Sequence, residues 1–152
     1  MSENAPNAIV NALVAVHVAL RVEELLFHVF HWRSKGADYY GDHLLYQRLY
    51  QDRAIEIDRI GEVLLALGGP GSVAPSTTII GMQDLAARVE ATPGPDAVRG
   101  LALVNETLRR INDANDLLGK TSYSLSVNNV LAGFADKHLE ALYLLKQRSE
   151  KK

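Results

Sequence analysis

The chain has 152 residues, 47% of them hydrophobic and 22% charged, with a net charge of −2. That composition fits one globular domain over residues 1–152 with a real core, and excludes a disordered chain or a generally basic nucleic-acid binder. There is no cysteine, which excludes disulfides, thiolate metal sites and cysteine nucleophiles and is compatible with a reducing cytoplasm.

Met1 to Pro6 carries no cationic segment ahead of the first apolar run, which argues against a secretion signal. Ala8 to Leu20 is apolar but interrupted by Asn11 and His17, too short to span a bilayer. The expectation is a cytoplasmic protein without membrane association. Ile9, Leu13, Val16, Leu20, Leu26 and Val29 or Phe30 keep roughly helical spacing and predict a first helix over about residues 7–33, closed by Lys35-Gly36. Asp38 is the predicted N-cap of a second helix reaching about Leu67, where Gly68-Gly69-Pro70-Gly71 stops it. Residues 70–95 read as a long connection holding a short helix over Met82–Val89. A third helix, about 96–118, has one apolar stripe (Leu101, Val104, Leu108, Ile111) and an otherwise solvated face. A fourth runs from about Ser126 to Gln147. With no strand pattern and no repeat, the reading is all-α: a ferritin-like four-helix bundle with a long crossover containing a short helix.

One spacing carries chemistry. His31 precedes His43 by twelve residues, and Asp58 and Glu62 follow His43 on the same predicted helix. Imidazole and carboxylate are the donors that divalent ions such as Fe2+ prefer. His43 and Asp58, fifteen residues apart, stand roughly 22 Å from each other along a helix, so one chain cannot bring them to one ion. An antiparallel copy of the helix about a two-fold axis beside residues 52 and 53 can. It sets His43 opposite Glu62 of the partner subunit and Gln47 opposite Asp58 of the partner subunit. His31 reaches the same region from the end of the first helix. The usual intrachain diiron site needs Glu-x-x-His on two helices; the sequence has no Glu-x-x-His.

Phe30-His31-Trp32, Lys35-Gly36, His43, Asp58-x-x-x-Glu62 and Leu67-Gly68-Gly69 resemble the miniferritins of starved bacteria, the Dps family, over about residues 28–69. Asn129-Val130-Leu131, His138 and Tyr143-Leu144-Leu145 resemble that family's Asn-Leu-Leu, His and Trp-x-Leu positions. The resemblance implies a homo-oligomeric, twelve-subunit hollow shell built from two-fold dimers. It implies ferroxidase sites between subunits, with His31 and His43 from one chain and Asp58 and Glu62 from the other. There Fe2+ is oxidised by hydrogen peroxide or oxygen and stored as ferric mineral, protecting the cell against oxidative stress; Zn2+ fits the same donors as a substitute ion. Two positions depart from the family. Gln47 stands where the family has aspartate, which removes one negative charge and puts the second iron position in doubt. Ser124 and Gly133 align loosely with the acidic pore of the family and bear no charge. The alternative is a non-catalytic cage or DNA-associated scaffold with a degenerate ferroxidase site.

Trp32 reads either as a packing aromatic or as a wall beside the iron site, and His28 as a supporting neighbour or a partner of Glu24. His17 and His138 read as core or interface histidines. The short basic tail, residues 146–152, supplies Lys146, Arg148, Lys151 and Lys152. It reads either as a solvated end or as a weak, salt-sensitive DNA contact multiplied around a shell.

Overall fold

A computed structural model of the chain describes residues 4–150. Helix α1 (Asn4–Arg33) turns through residues 34–38 into α2 (Tyr39–Gly68). A 3-10 turn (Pro70–Val73) leads to α3 (Pro75–Glu90), then come α4 (Asp96–Leu117) and α5 (Ser124–Ser149). There is no strand among the described residues, and none of their helices is long and apolar enough to cross a membrane. α1 packs along α2 and α4, α4 packs along α5, and α3 lies against α1. The fold is the expected ferritin-like bundle with a long crossover.

The breaks fall where backbone chemistry demands them. Gly36 and Gly69 adopt positive φ, +81° and +70°, a conformation that a side chain would strain. Asp38 does occupy the N-cap position of α2, but its carboxylate makes no capping hydrogen bond. It pairs instead with Arg148 near the end of α5 at 2.9 Å. The crossover helix is twice the predicted length, beginning at Pro75. Proline fits the first position of a helix because its missing N–H has no partner there anyway. Pro75-Ser76-Thr77-Thr78 is thus the first turn of α3. α5 is also longer than predicted at both ends.

Two apolar clusters fill the bundle. One is built around Leu13, Leu20, Ile60, Leu64, Ile111 and Leu131, the other around Phe27, Phe30, Leu49, Leu103 and Leu145. A polar layer separates them. Glu23 on α1, Arg53 and Glu56 on α2, Thr107 on α4 and His138 on α5 are all buried, and each lies between the two apolar blocks of its own helix. His17 is buried as well, so both histidines read as core or interface residues are inside. Burial alone would raise the Glu23 carboxyl. His138 and Arg53 beside it, with hydrogen bonds from His138 and Thr107, outweigh burial and hold it down to about 2. Glu56 lacks those bonds; its burial outweighs Arg53 and His138 and pushes it up to about 7.

Candidate metal centre

His31 lies in the last turn of α1 and His43 in the first turns of α2, so the five-residue link brings them together. Their rings stack with centroids 3.6 Å apart and planes 22° from parallel. Each ring is tied to the other's backbone. The His31 Nδ1–H donates to the His43 carbonyl at 2.8 Å, and the His43 Nδ1–H donates to the His31 carbonyl at 3.1 Å. A carbonyl only accepts, so the proton of each neutral ring sits on Nδ1 and the lone pair on Nε2. The His43 bond also satisfies a carbonyl in the last turn of α1, which has no partner within the helix. Two imidazole nitrogens are thereby left ready to bind a metal, their tautomers fixed by backbone.

Aromatic rings extend from this pair. Tyr39 stacks on His43 with centroids 5.0 Å apart. Tyr50 stands edge-on to His31 at 5.5 Å and stacks on His28 at 4.0 Å. Trp32 covers the other side of His28 at 4.6 Å and is 65% exposed. His28 is therefore a stacking neighbour within this cluster; Glu24 pairs with Arg21 at 3.7 Å. Tyr39 and Tyr50 were not singled out from the sequence. The available signal for Tyr50 was its place seven residues after His43, two turns along the same face.

Asp58 and Glu62 lie on the same unbroken helix as His43 and are exposed. His43, Gln47, Asp58 and Glu62 fall within about 100° of arc on α2, so they present one face, but the carboxylates are far from the histidine pair. Glu62 meets Arg59 at 3.4 Å, and Arg53 is buried in the core. Among the described residues no three histidine, aspartate or glutamate side chains are grouped so as to hold a metal ion. One chain thus presents an imidazole pair and, about four to five turns along α2, a carboxylate pair. Gln47 is half-buried on that face. Asp42 does not stand in for it, because its carboxylate is bound to Arg148, and Asp52 is engaged at 3.8 Å by Lys137.

Residues 146–149 of the basic tail belong to α5. Arg148 is held by Asp38 and Asp42, its guanidinium made more basic by hydrogen bonding to Asp42 and by the charge of both. Its charge is thus balanced within the chain. Lys151 and Lys152 lie outside the described residues.

No protein-family model matches the chain. A DNA protection during starvation protein of Brevibacillus brevis is 29% identical over 119 residues, 78% of this chain and 71% of that one. DNA protection during starvation protein 2 of Bacillus anthracis is 43% identical over 42 residues, 28% of this chain and 29% of that one. The crystal structure of the Dps protein of Vibrio cholerae O1, described as a member of a broad superfamily of ferritin-like diiron-carboxylate proteins, has the same fold. It matches with a TM-score of 0.80 at 15% identity, over 97% of this chain and 92% of that one. The chain is thus similar in sequence to DNA protection during starvation proteins over most of its length and shares the ferritin-like fold of a Dps protein.

Proposed function

We propose that this protein is a miniferritin that binds Fe2+ between two-fold-related subunits and oxidises it with hydrogen peroxide or oxygen. The observation that carries this reading is the histidine pair: two stacked imidazoles, each with Nδ1 bound to the other's carbonyl and Nε2 left as a donor. Such a pair needs carboxylates to bind iron tightly, and its own chain keeps Asp58 and Glu62 about four to five turns away. An antiparallel second copy supplies them. The exposed Trp32 and Leu65 beside this face also favour a covered surface.

Charge decides how much iron such a site holds. Two neutral imidazoles, two carboxylates and the neutral Gln47 amide balance one Fe2+ and leave a second uncompensated. One tight and one weak iron position follow. Peroxide takes one electron from each of two Fe2+ ions and, with two protons, leaves as two waters. The weak position therefore limits turnover. Gln47 is also the observation that favours the second reading, a cage whose ferroxidase site has degenerated. Anaerobic Fe2+ titration followed by peroxide separates the two. Saturable binding with a rise in ferric absorbance faster than in buffer supports the ferroxidase; no binding, or oxidation no faster than buffer, contradicts it.

A further inference from the structure

The polar layer at mid-bundle has the composition of a metal site and already contains a cation. Arg53 has no exposed surface. Its Nη1 donates to Glu23 Oε2 at 2.9 Å and stands 2.7 Å from His138 Nε2 and 3.1 Å from His138 Nδ1, and its Nε stands 3.0 Å from Glu56 Oε2. His138 Nδ1–H donates to the Phe134 carbonyl at 2.7 Å, which leaves Nε2 as the ring nitrogen facing Glu23 Oε1.

Two carboxylates from two helices, with an imidazole whose other nitrogen is fixed by a backbone carbonyl, are the donor types of divalent-ion sites in helical bundles; with Arg53 seated among them they are not grouped so as to hold an ion. Glu23 Oε1 and His138 Nε2 are 3.1 Å apart. That is close to the separation of neighbouring ligands that each lie about 2.1 Å from one ion. The guanidinium does not complete this set. Arg53 Nη2 and both Glu56 oxygens, all buried, have no hydrogen-bond partner among the described residues, although nearly all buried polar atoms in proteins do. A route from outside also exists: a cavity of about 320 Å³ between α2 and α5, lined by Asp52, Glu56, Arg59 and Lys137 among others, reaches Glu56.

We propose that Arg53 is a built-in cation seated in a metal-type donor set of Glu23, Glu56 and His138, and that its occupancy shuts divalent metal out of the bundle interior. The arginine is fixed in place by the chain and carries its charge at all accessible pH values. The interior is closed to Fe2+ by this occupant, and the ion is left to sites elsewhere on the molecule. This inference does not depend on the two-fold site.

The test uses the full chain carrying Asp58→Asn and Glu62→Gln, which removes the surface carboxylates from consideration. In this background, after chelator treatment, adding Arg53→Ala is expected to give about one further Co2+ bound per chain, with visible d–d absorption and a higher Tm with the metal. The gain is expected to vanish when Glu23→Gln is added, and to be absent in Arg53→Lys, which keeps a cation. A folded Arg53→Ala protein with no further Co2+ overturns the proposal, as does a gain that survives Glu23→Gln or appears equally in Arg53→Lys. Should Arg53→Ala be unfolded without metal, helical circular dichroism restored by Co2+ in a Glu23-dependent manner supports it. Failure of Co2+ to restore that signal overturns it.

Discussion

His31 and His43 hold each other across the α1–α2 turn, each ring donating from Nδ1 to the other's carbonyl while the two rings stack. The exchange makes the pair part of the fold before it is part of any site. His43→Ala should therefore have two effects. Loss of a half-buried hydrogen bond costs about 1 kcal/mol of stability, seen as a small fall in Tm. Loss of an imidazole donor and of the partner that fixes His31 lowers Fe2+ affinity on the order of 10–100-fold, measured by anaerobic calorimetry. An unchanged affinity would remove His43 from the site.

Gln47 should be the point at which charge can be restored. Gln47→Asp adds a carboxylate to the face shared by His43, Asp58 and Glu62. A charge about 4 Å from a cation is worth at least about 1 kcal/mol even in water-like surroundings, so the second Fe2+ should bind at least about fivefold tighter. Peroxide-driven oxidation should accelerate with it. Equal iron stoichiometry and rate in the variant would contradict the charge argument.

Acid stability should report on the bundle centre. Because Glu23 is held down to about 2 in the folded chain, below its ordinary 4.5, it stabilises the native state at pH values above about 4.5. That contribution is lost as pH falls from about 4.5 through about 2. Glu23→Gln should remove this part of the acid transition. At neutral pH it should cost about 3–5 kcal/mol, since it leaves the buried guanidinium of Arg53 without its hydrogen-bonded carboxylate. Urea unfolding at pH 7 and across pH 2–5 measures both.

The tie between α5 and the α1–α2 turn is a surface feature, and its removal should be mild. Arg148→Ala breaks the ion pairs with Asp38 and Asp42, but the Arg148 and Asp38 side chains are 38% and 67% exposed. The expected loss is at most about 1 kcal/mol, larger at low salt than at high salt. Because this charge is already balanced within the chain, retention on duplex DNA should be unchanged by the substitution. A large loss of either stability or retention would contradict this account of Arg148.

Much of the bundle was legible because apolar residues repeat at helical spacing and glycines stand where helices close. The start of α3 was hidden by Pro75-Ser76-Thr77-Thr78, a composition shared by turns and helix N-termini. The polar layer was less legible, although a signal exists. Glu23 falls on the stripe of Leu20 and Phe27, Arg53 and Glu56 on that of Leu49 and Ile60, and His138 on that of Phe134 and Ala141. A charge on an apolar stripe reads as an exposed interruption until other helices are known to place opposite charges at the same level. For the candidate site, the spacing of His31 and His43 gave no account of their crossed hydrogen bonds, which depend on the tight turn through Gly36. The tyrosines beside them were missed because stacking partners carry no ligand signature.

The central claim is that the histidine pair of one subunit shares iron with the carboxylates of another. A crystal structure of Fe2+-loaded protein, with anomalous scattering recorded at the iron edge, tests it most directly. The account predicts a peak about 2.0–2.2 Å from the Nε2 atom of His31 or His43, by analogy with other first-row divalent ions, and within the same range of Asp58 or Glu62 of the partner subunit. A peak bound by residues of one chain only, or a two-fold interface without iron in protein that oxidises it, would contradict the account.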